Sequence, residues 1–331
     1  MVKYIIKRIL YSILILFLVS ILIYTLVRLM PNDYVENKLL PMLNQGTVSE
    51  EDITRMKELY GIADSSFGGI VKGYFKWLGS ALTGDLGISF KYSEPVTKVI
   101  GRSMWVSFII AVLSYILVYL IAIPLGIKSA VKQYSAFDYS VTTFTMIGIS
   151  LPGFFFATVL IKIFAVELGW FDPALGLESA GNMGTGFQKF IDQVWHCILP
   201  MATLVILSIG GTMRHTRTNT LEVLNADYIR TARAKGLSEK SVVYKHVFRN
   251  TMIPMVTMMA GVLPSLFGGA MILENVFALP GIGKLAYDAL VVGDIPFIMG
   301  YEMFLAILTV IGVLLSDIAY VIVDPRIKLD K

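Results

Sequence analysis

The stretch richest in chemically capable side chains is 214–250, where eight Lys and Arg stand against three acids, Glu222, Asp227 and Glu239. Within it Ala226, Asp227, Tyr228, Arg230, Thr231, Ala232, Arg233, Ala234 and Lys235 fit a helix with Arg230 and Arg233 on one side and Tyr228 and Ala232 on the other. Gly236 stands where such a helix ends. A second helix then opens with Ser238 as N-cap and Leu237 paired with Val242 as a hydrophobic staple. Two short helices on a Gly turn make a compact knob. Its basic charge suits either an anchor on anionic lipid or a contact with another protein.

Other chemistries find no residues to carry them. No G-x-x-x-x-G-K-[ST] phosphate loop occurs, and Gly281-Ile282-Gly283-Lys284 lacks the earlier Gly. The chain is therefore not expected to hydrolyse ATP or to hold a cofactor by itself. One Cys and three His, His196 on one side of the membrane and His215 and His246 on the other by the topology below, leave no metal set, and nothing marks a catalytic group. Arg28, Lys162, Glu274 and Glu302 fall near the ends of apolar segments, where a charged head reaches the interface. Asp317 lies deeper and needs a partner, and one such acid is too few for a proton relay.

These residues hang on an apolar frame. Of 331 residues 56% are hydrophobic and 16% charged, with a mean hydropathy of +0.70 and a net charge of +4. Six segments, 9–30, 104–127, 139–166, 197–213, 251–273 and 298–323, are each long enough to cross a hydrocarbon core of about 30 Å. With the N-terminus inside, segments 1–8, 128–138, 214–250 and 324–331 hold sixteen Lys and Arg, against Lys189 alone in 167–196 and Lys284 alone in 276–297. That bias places both termini in the cytoplasm. The basic residues form no single soluble face, so nucleic acid is not an expected partner.

Residues 31–103 form an outside segment too long for a plain connection, which implies a small extracytoplasmic subdomain between the first two spans. Ser49-Glu50-Glu51-Asp52 begins an amphipathic helix there that ends at Gly61, either a lid or a docking surface. The third span contains Leu151-Pro152-Gly153, a break tolerated only where neighbours or a wet cavity satisfy the freed backbone groups. Phe154, Phe155 and Phe156 follow it as candidates to line a path, with core packing as the plainer reading. Gly210-Gly211, Gly261 and Gly268-Gly269 suit close helix approach or a moving gate.

The run from Ala226 to Ser238 closely resembles the cytoplasmic signature of permease subunits of ABC importers, in the form carried by the oligopeptide, dipeptide and nickel class. The general importer motif has Glu-Ala-Ala six residues before its Gly, and counting back from Gly236 puts Arg230, Thr231 and Ala232 there, so only the last is retained. Gly84-Asp85-Leu86-Gly87 with Pro95-Val96, Leu279-Pro280-Gly281-Ile282-Gly283-Lys284-Leu285 and Asp324-Pro325-Arg326 are similar to the B-type permeases of that class. Met30-Pro31-Asn32-Asp33 replaces their usual Pro-Gly-Asp-Pro.

The resemblance implies an all-α membrane protein with the six-helix fold of a type I ABC importer permease, in a bacterial or archaeal cytoplasmic membrane. It also implies a core of 104–323 with a coupling loop at 214–250, a first helix within 1–30 and a tail at 324–331. The implied partners are a second, C-type permease, two ATPases that bind ATP and Mg, an extracytoplasmic binding protein and membrane lipid. Peptide import by alternating access follows, with import of a nickel chelate or other small solute as the alternative. An ion-driven transporter would need inverted repeats and several buried acids, which are not visible, and a membrane-embedded enzyme would need a cluster of reactive side chains.

The topology is open to direct test. A cysteine placed in the 49–60 stretch should react with an impermeant thiol reagent in intact cells, whereas one at Lys240 should not. Equal labelling at both positions would overturn the orientation.

Overall fold

A computed structural model of the chain describes residues 2–28, 49, 51, 66–172, 176–179 and 185–323. The expected 49–60 helix, the 30–33 turn and the 324–326 tail motif lie outside the described residues. In chain order the helices are α1 (Val2–Arg28), α2 (Phe67–Leu82), α3 (Val96–Val131), α4 (Ala136–Ser150) and α5 (Gly153–Leu160), which runs into a π-helical stretch, Ile161–Glu167. Next come α6 (Phe187–Leu224), α7 (Asp227–Ala234), α8 (Glu239–Ser241), a second π-helical stretch, Val242–Val247, and α9 (Phe248–Ala260). They end with α10 (Leu263–Gly268), α11 (Met271–Val276), α12 (Ile282–Val292) and α13 (Ile295–Val323). Among the described residues the one extended pairing is a single antiparallel bridge between Ile88 and Pro95.

Helices α1, α3, α6 and α13 are each long and apolar enough to cross a membrane, and two bent pairs reach that length together. The segment expected as one span at 139–166 is such a pair, α4 and α5 meeting at 102°. Pro152 lacks an N–H and drives its predecessor out of the helical region, and Leu151 accordingly sits at φ −89° and ψ 136°. The segment expected at 251–273 also departs from a single helix: it bends by 47° between α9 and α10 and breaks again at Gly269, whose φ 72° and ψ 165° occupy backbone space open to glycine alone. The fourth segment, expected to be the shortest at 197–213, belongs to the longest helix, Phe187–Leu224. Hydropathy marks only its apolar middle, whereas the helix continues through Arg214, Arg217 and Thr220.

The described residues divide into two compact units, those within 106–280 and 312–331 and those within 1–105 and 281–311. In the former, α6 is the spine against which α4, α5 and α9 pack. A Cβ on Gly148 would come within 2.9 Å of the Ile206 carbonyl, and one on Gly210 within 2.7 Å of the Thr145 carbonyl. Small residues on both helices thus bring α4 and α6 into backbone contact, the route to association where lipid is as apolar as the side chains. Gly211 meets nothing within 4 Å, so close approach explains one member of that pair only. Thr216, Thr220 and Thr251 are fully buried and line a polar seam between α6 and α9, with Thr216 and Thr220 each donating to the carbonyl four residues back.

In the other unit one carboxylate gathers the 84–95 turn and the start of α13. Asp294, fully buried just before α13, accepts from Ser89 Oγ at 2.5 Å, from the amides of Phe90 at 3.1 Å and Lys91 at 3.0 Å, and from the first-turn amide of Phe297 at 3.2 Å. Ser89 Oγ accepts in turn from the Tyr92 amide at 3.0 Å, and the Tyr92 hydroxyl donates to the Leu285 carbonyl at 3.1 Å. Burial first, then the Asp288 and Asp294 carboxylates, raise the Tyr92 phenol above its ordinary range and keep it a neutral donor. The turn that begins at Gly84-Asp85-Leu86-Gly87 and the helix that begins at Gly281-Ile282-Gly283-Lys284 are brought together here, and Lys91 bridges to Asp288 at 3.3 Å.

Replacing Asp294 by Ala strands four donors in a dry site. The expected loss of stability exceeds about 3 kcal/mol, whereas Asp294→Asn, which keeps one acceptor oxygen, should lose less. Thermal unfolding of the detergent-solubilised chain reads the difference, and equal midpoints for Asp294→Ala and the unmodified chain would show that the carboxylate holds nothing together.

Candidate functional site

The 226–238 run lies at the end of α6. Asn225 closes α6, and Ala226 in extended conformation at φ −71° and ψ 145° starts α7, whose acid Asp227 sits at the positive end of the helix dipole. The helix ends in a two-bond glycine cap: the Gly236 amide donates to the Arg233 carbonyl at 2.9 Å and the Leu237 amide to the Ala232 carbonyl at 3.4 Å. Gly236 has φ +76°, and no atom lies within 4 Å of where a Cβ would stand, so only backbone strain reserves the position for glycine. Ser238 caps the next helix by accepting from the Ser241 amide at 3.4 Å. Arg233 clamps the turn from outside, its Nε 2.7 Å and its second nitrogen 3.3 Å from the Glu239 carboxylate.

Ile229, Ala232, Val242 and Val247 form a private core for this knob, with Val223 and Leu224 from the end of α6 packed on it. The knob is thereby welded to α6. Two expectations need correction. The inward side of α7 is Ile229 with Ala232, and Tyr228 is 49% exposed beside the exposed Arg230 and Arg233, because the cluster selects the residue one place on. Val242 spends its side chain on the Ile229 cluster while Leu237 stays exposed, so the staple is replaced by deeper burial of one member. Asp227, Thr231, Ala234, Lys235 and Ser238 complete the exposed surface.

A second set of residues, overlooked in the sequence, fixes the helix that carries the knob. Asp138 of α4 takes Arg217 of α6 in a two-point ion pair, with Nε and one terminal nitrogen each 2.8 Å from a carboxylate oxygen. Ser129 Oγ and the Tyr134 amide donate to the same carboxylate, whose side chain is 4% exposed. The local signal was present: Ser135 caps α4 by accepting from the Asp138 amide, a Ser-x-x-Asp helix start.

Glu274 corrects a third expectation. It is 3% exposed and does not reach an interface, accepting from Ser107 Oγ at 2.6 Å and from the Ala270 amide at 3.2 Å. The break at Gly269 frees that amide, and the carboxylate of the following turn takes it up. Around it lies a cavity of about 180 Å³ whose polar lining includes Ser107, Ser114, Ser208 and Ser265, where Ser114 Oγ is buried without a hydrogen bond among the described residues. Phe154 and Phe155, 52% and 49% exposed, open α5 just after the Pro152 bend, and Phe156 is half-buried there. None of the three lines the Glu274 cavity. No group of three or more His, Cys, Asp and Glu able to hold a metal ion occurs among the described residues.

Residues 122–329 match the family described as the binding-protein-dependent transport system inner membrane component. The chain is similar to the oligopeptide transport system permease protein AppB of Bacillus subtilis, at 39% identity over 99% of this chain and 100% of that protein. It is also similar to the oligopeptide transport system permease protein OppB of Haemophilus influenzae, at 31% identity over 99% and 100%. A putative peptide transport system permease protein of Brucella abortus is 34% identical over the whole of both chains. Among solved structures, a chain of the MetNI methionine ABC transporter in inward-facing conformations superposes with a TM-score of 0.53 at 19% identity, covering 71% of this chain and 100% of that one.

The Asp138–Arg217 pair generates a sharp expectation. Arg217→Met leaves a buried carboxylate without its cation and should destabilise the solubilised chain by about 3 kcal/mol, the lower end for a buried pair because Arg217 keeps 24% of its side chain exposed. Asp138→Leu combined with Arg217→Met should recover part of that loss. A double-mutant cycle on unfolding midpoints checks this, and additive losses would show that the two groups do not depend on each other.

Proposed function

The chain belongs to the family of binding-protein-dependent transport system inner membrane components, and we propose that within it this protein is the B-type permease of an ATP-driven peptide importer. It is a multi-pass membrane protein with the fold of a type I importer permease, a transporter subunit and not itself the ATPase. The full-length likeness to AppB carries the reading of peptide as cargo. Import of a nickel chelate or another small solute by the same fold is the alternative.

In this reading six spans cross a bacterial or archaeal cytoplasmic membrane with both termini inside. The partners are a C-type permease that completes the path, two ATPases that bind ATP and Mg, and a binding protein received by the outer 31–103 segment. The 226–238 knob is the ATPase contact. Its private core and its weld to α6 support this, since a push on Tyr228, Arg230 or Arg233 is passed to a helix of 38 residues without being absorbed in a loop. The Asp138–Arg217 pair shares that displacement with α4, and the Pro152 bend turns it toward Phe154, Phe155 and Phe156, which line the path in this proposal. Closure of the ATPases on ATP opens the path outward, and hydrolysis resets it.

The test separates coupling from lipid electrostatics. Gly236→Val introduces strain of roughly 1–2 kcal/mol at a left-handed position, and Arg230→Glu reverses an exposed charge. Both should lower substrate-stimulated ATP hydrolysis and uptake several-fold in the reconstituted importer while leaving membrane insertion intact. Lys331→Glu, an equal charge change in the tail, should not. A tail effect as large as the two knob effects would overturn the assignment.

A further inference from the structure

A groove of about 820 Å³ runs between the end of α3 and the second half of the knob with the start of α9. One wall is Ile123, Pro124, Ile127, Lys128 and Val131 of α3, with Lys132 just after it. The spacing of one, three, one and three places the first five on a single helix face over roughly 12 Å, with Lys132 in the turn just beyond. Chemically that face is a gradient, from two Ile and a Pro inside the apolar span to two lysines just past it. Opposite stand Lys240 of α8, Val243 and Tyr244 of the π-helical stretch, and Phe248 at the start of α9. The π geometry, with bonds from i to i+5, stacks Val243 over Phe248 on the groove side where an α-helix would rotate them apart.

The charges in the groove are unequally engaged. Glu239 also lines it, but its carboxylate is held by Arg233 at 2.7 Å and its charge is balanced there. Lys128 lies over the Phe137 ring at 4.4 Å. The ammonium groups of Lys132 and Lys240 have no ion pair or hydrogen bond among the described residues, and both are exposed. A free anion needs the cations and has no use for the apolar floor, and a neutral lipid chain needs the floor alone. A groove that grades along α3 from aliphatic to cationic fits a molecule with the same gradient.

We propose that this groove is a binding site for one anionic phospholipid, its phosphate at Lys128, Lys132 and Lys240 and an acyl chain against Ile123, Pro124 and Ile127. Basic pockets at the level where spans leave the hydrocarbon are a recurring lipid-recognition device. The volume is in the range that encloses a headgroup with the adjoining part of a chain. The site lies between α3, whose neighbour α4 is pinned to α6 by Asp138, and the second half of the knob, so the lipid cements the knob to a second helix.

The test uses the full chain extracted from nanodiscs of phosphatidylcholine containing a minority of phosphatidylglycerol, with retained lipid read by native mass spectrometry. Phosphatidylglycerol should be retained in preference to phosphatidylcholine. Lys132→Gln combined with Lys240→Gln should weaken that retention by about 30-fold, from about a kilocalorie per mole for each lysine. Lys72→Gln with Lys76→Gln, an equal change on α2, should leave it unaltered. Equal retention of the two lipids, or equal loss in both double variants, would overturn the site in favour of diffuse attraction. Displacement of the lipid by inorganic phosphate would make the groove a site for a free anion, and displacement on adding the ATPase subunits would make it part of the protein contact. Either result would overturn the proposal.

Discussion

The Asp138–Arg217 pair is the joint on which the 106–280 unit turns. A carboxylate with 4% of its side chain exposed is untenable at the rim of a hydrocarbon core unless it is matched at once by charge and by hydrogen bonds, and here a guanidinium, a hydroxyl and an amide meet it together. The geometry is stiff because two parallel bonds fix the guanidinium plane as well as its distance. What would otherwise be two apolar rods able to slide and rotate in lipid becomes one body, and the end of α6 with the knob welded to it inherits its position from that body.

The same constraint, that backbone and charge must be satisfied without water, explains where the helices fail. Pro152 and Gly269 interrupt spans, and each break is answered locally: the Ser150 hydroxyl donates to the Met146 carbonyl of the interrupted last turn at 2.8 Å, and Glu274 with its own carboxylate recovers the amide freed beside Gly269. A cavity with a mainly apolar lining that also carries Ser107, Ser114, Ser208 and Ser265 sits at the second break. Irregular backbone at membrane depth is tolerated where it is enclosed by protein or borders a wet space, and that is the setting here.

Much of this was legible in the chain because hydropathy and caps are local. The apolar middles of the long helices follow from composition alone, and the Gly236–Ser238 turn from two residue types with narrow backbone uses. What was not legible is long-range. Ser107 meets Glu274 across 167 positions and Arg217 meets Asp138 across 79, and nothing near either acid announces the partner. The residues around Glu274 place it at a segment end, where reaching the interface is the ordinary solution, and only the position of α3 makes burial possible. On α7, periodicity gives two faces without saying which is inward. Val242 and Val247, a turn and a glycine away, make that choice for Ile229.

The Asp294 clamp has a consequence in time. Its partners Ser89 and Lys91 precede it by 205 and 203 residues, and a ribosome adding about 5–20 residues per second needs roughly 10–40 s to make up that distance. Throughout that interval the 84–95 turn has its own internal bonds, such as Ser89 amide to Glu94 carbonyl, but the Ser89 hydroxyl and the Phe90 and Lys91 amides lack their acceptor and are left to water. Most of the spans are synthesised before the turn can settle. Quality control acting on a nascent chain would therefore meet a long-lived, half-built surface, and a chain stalled short of residue 294 would carry that surface for as long as it exists.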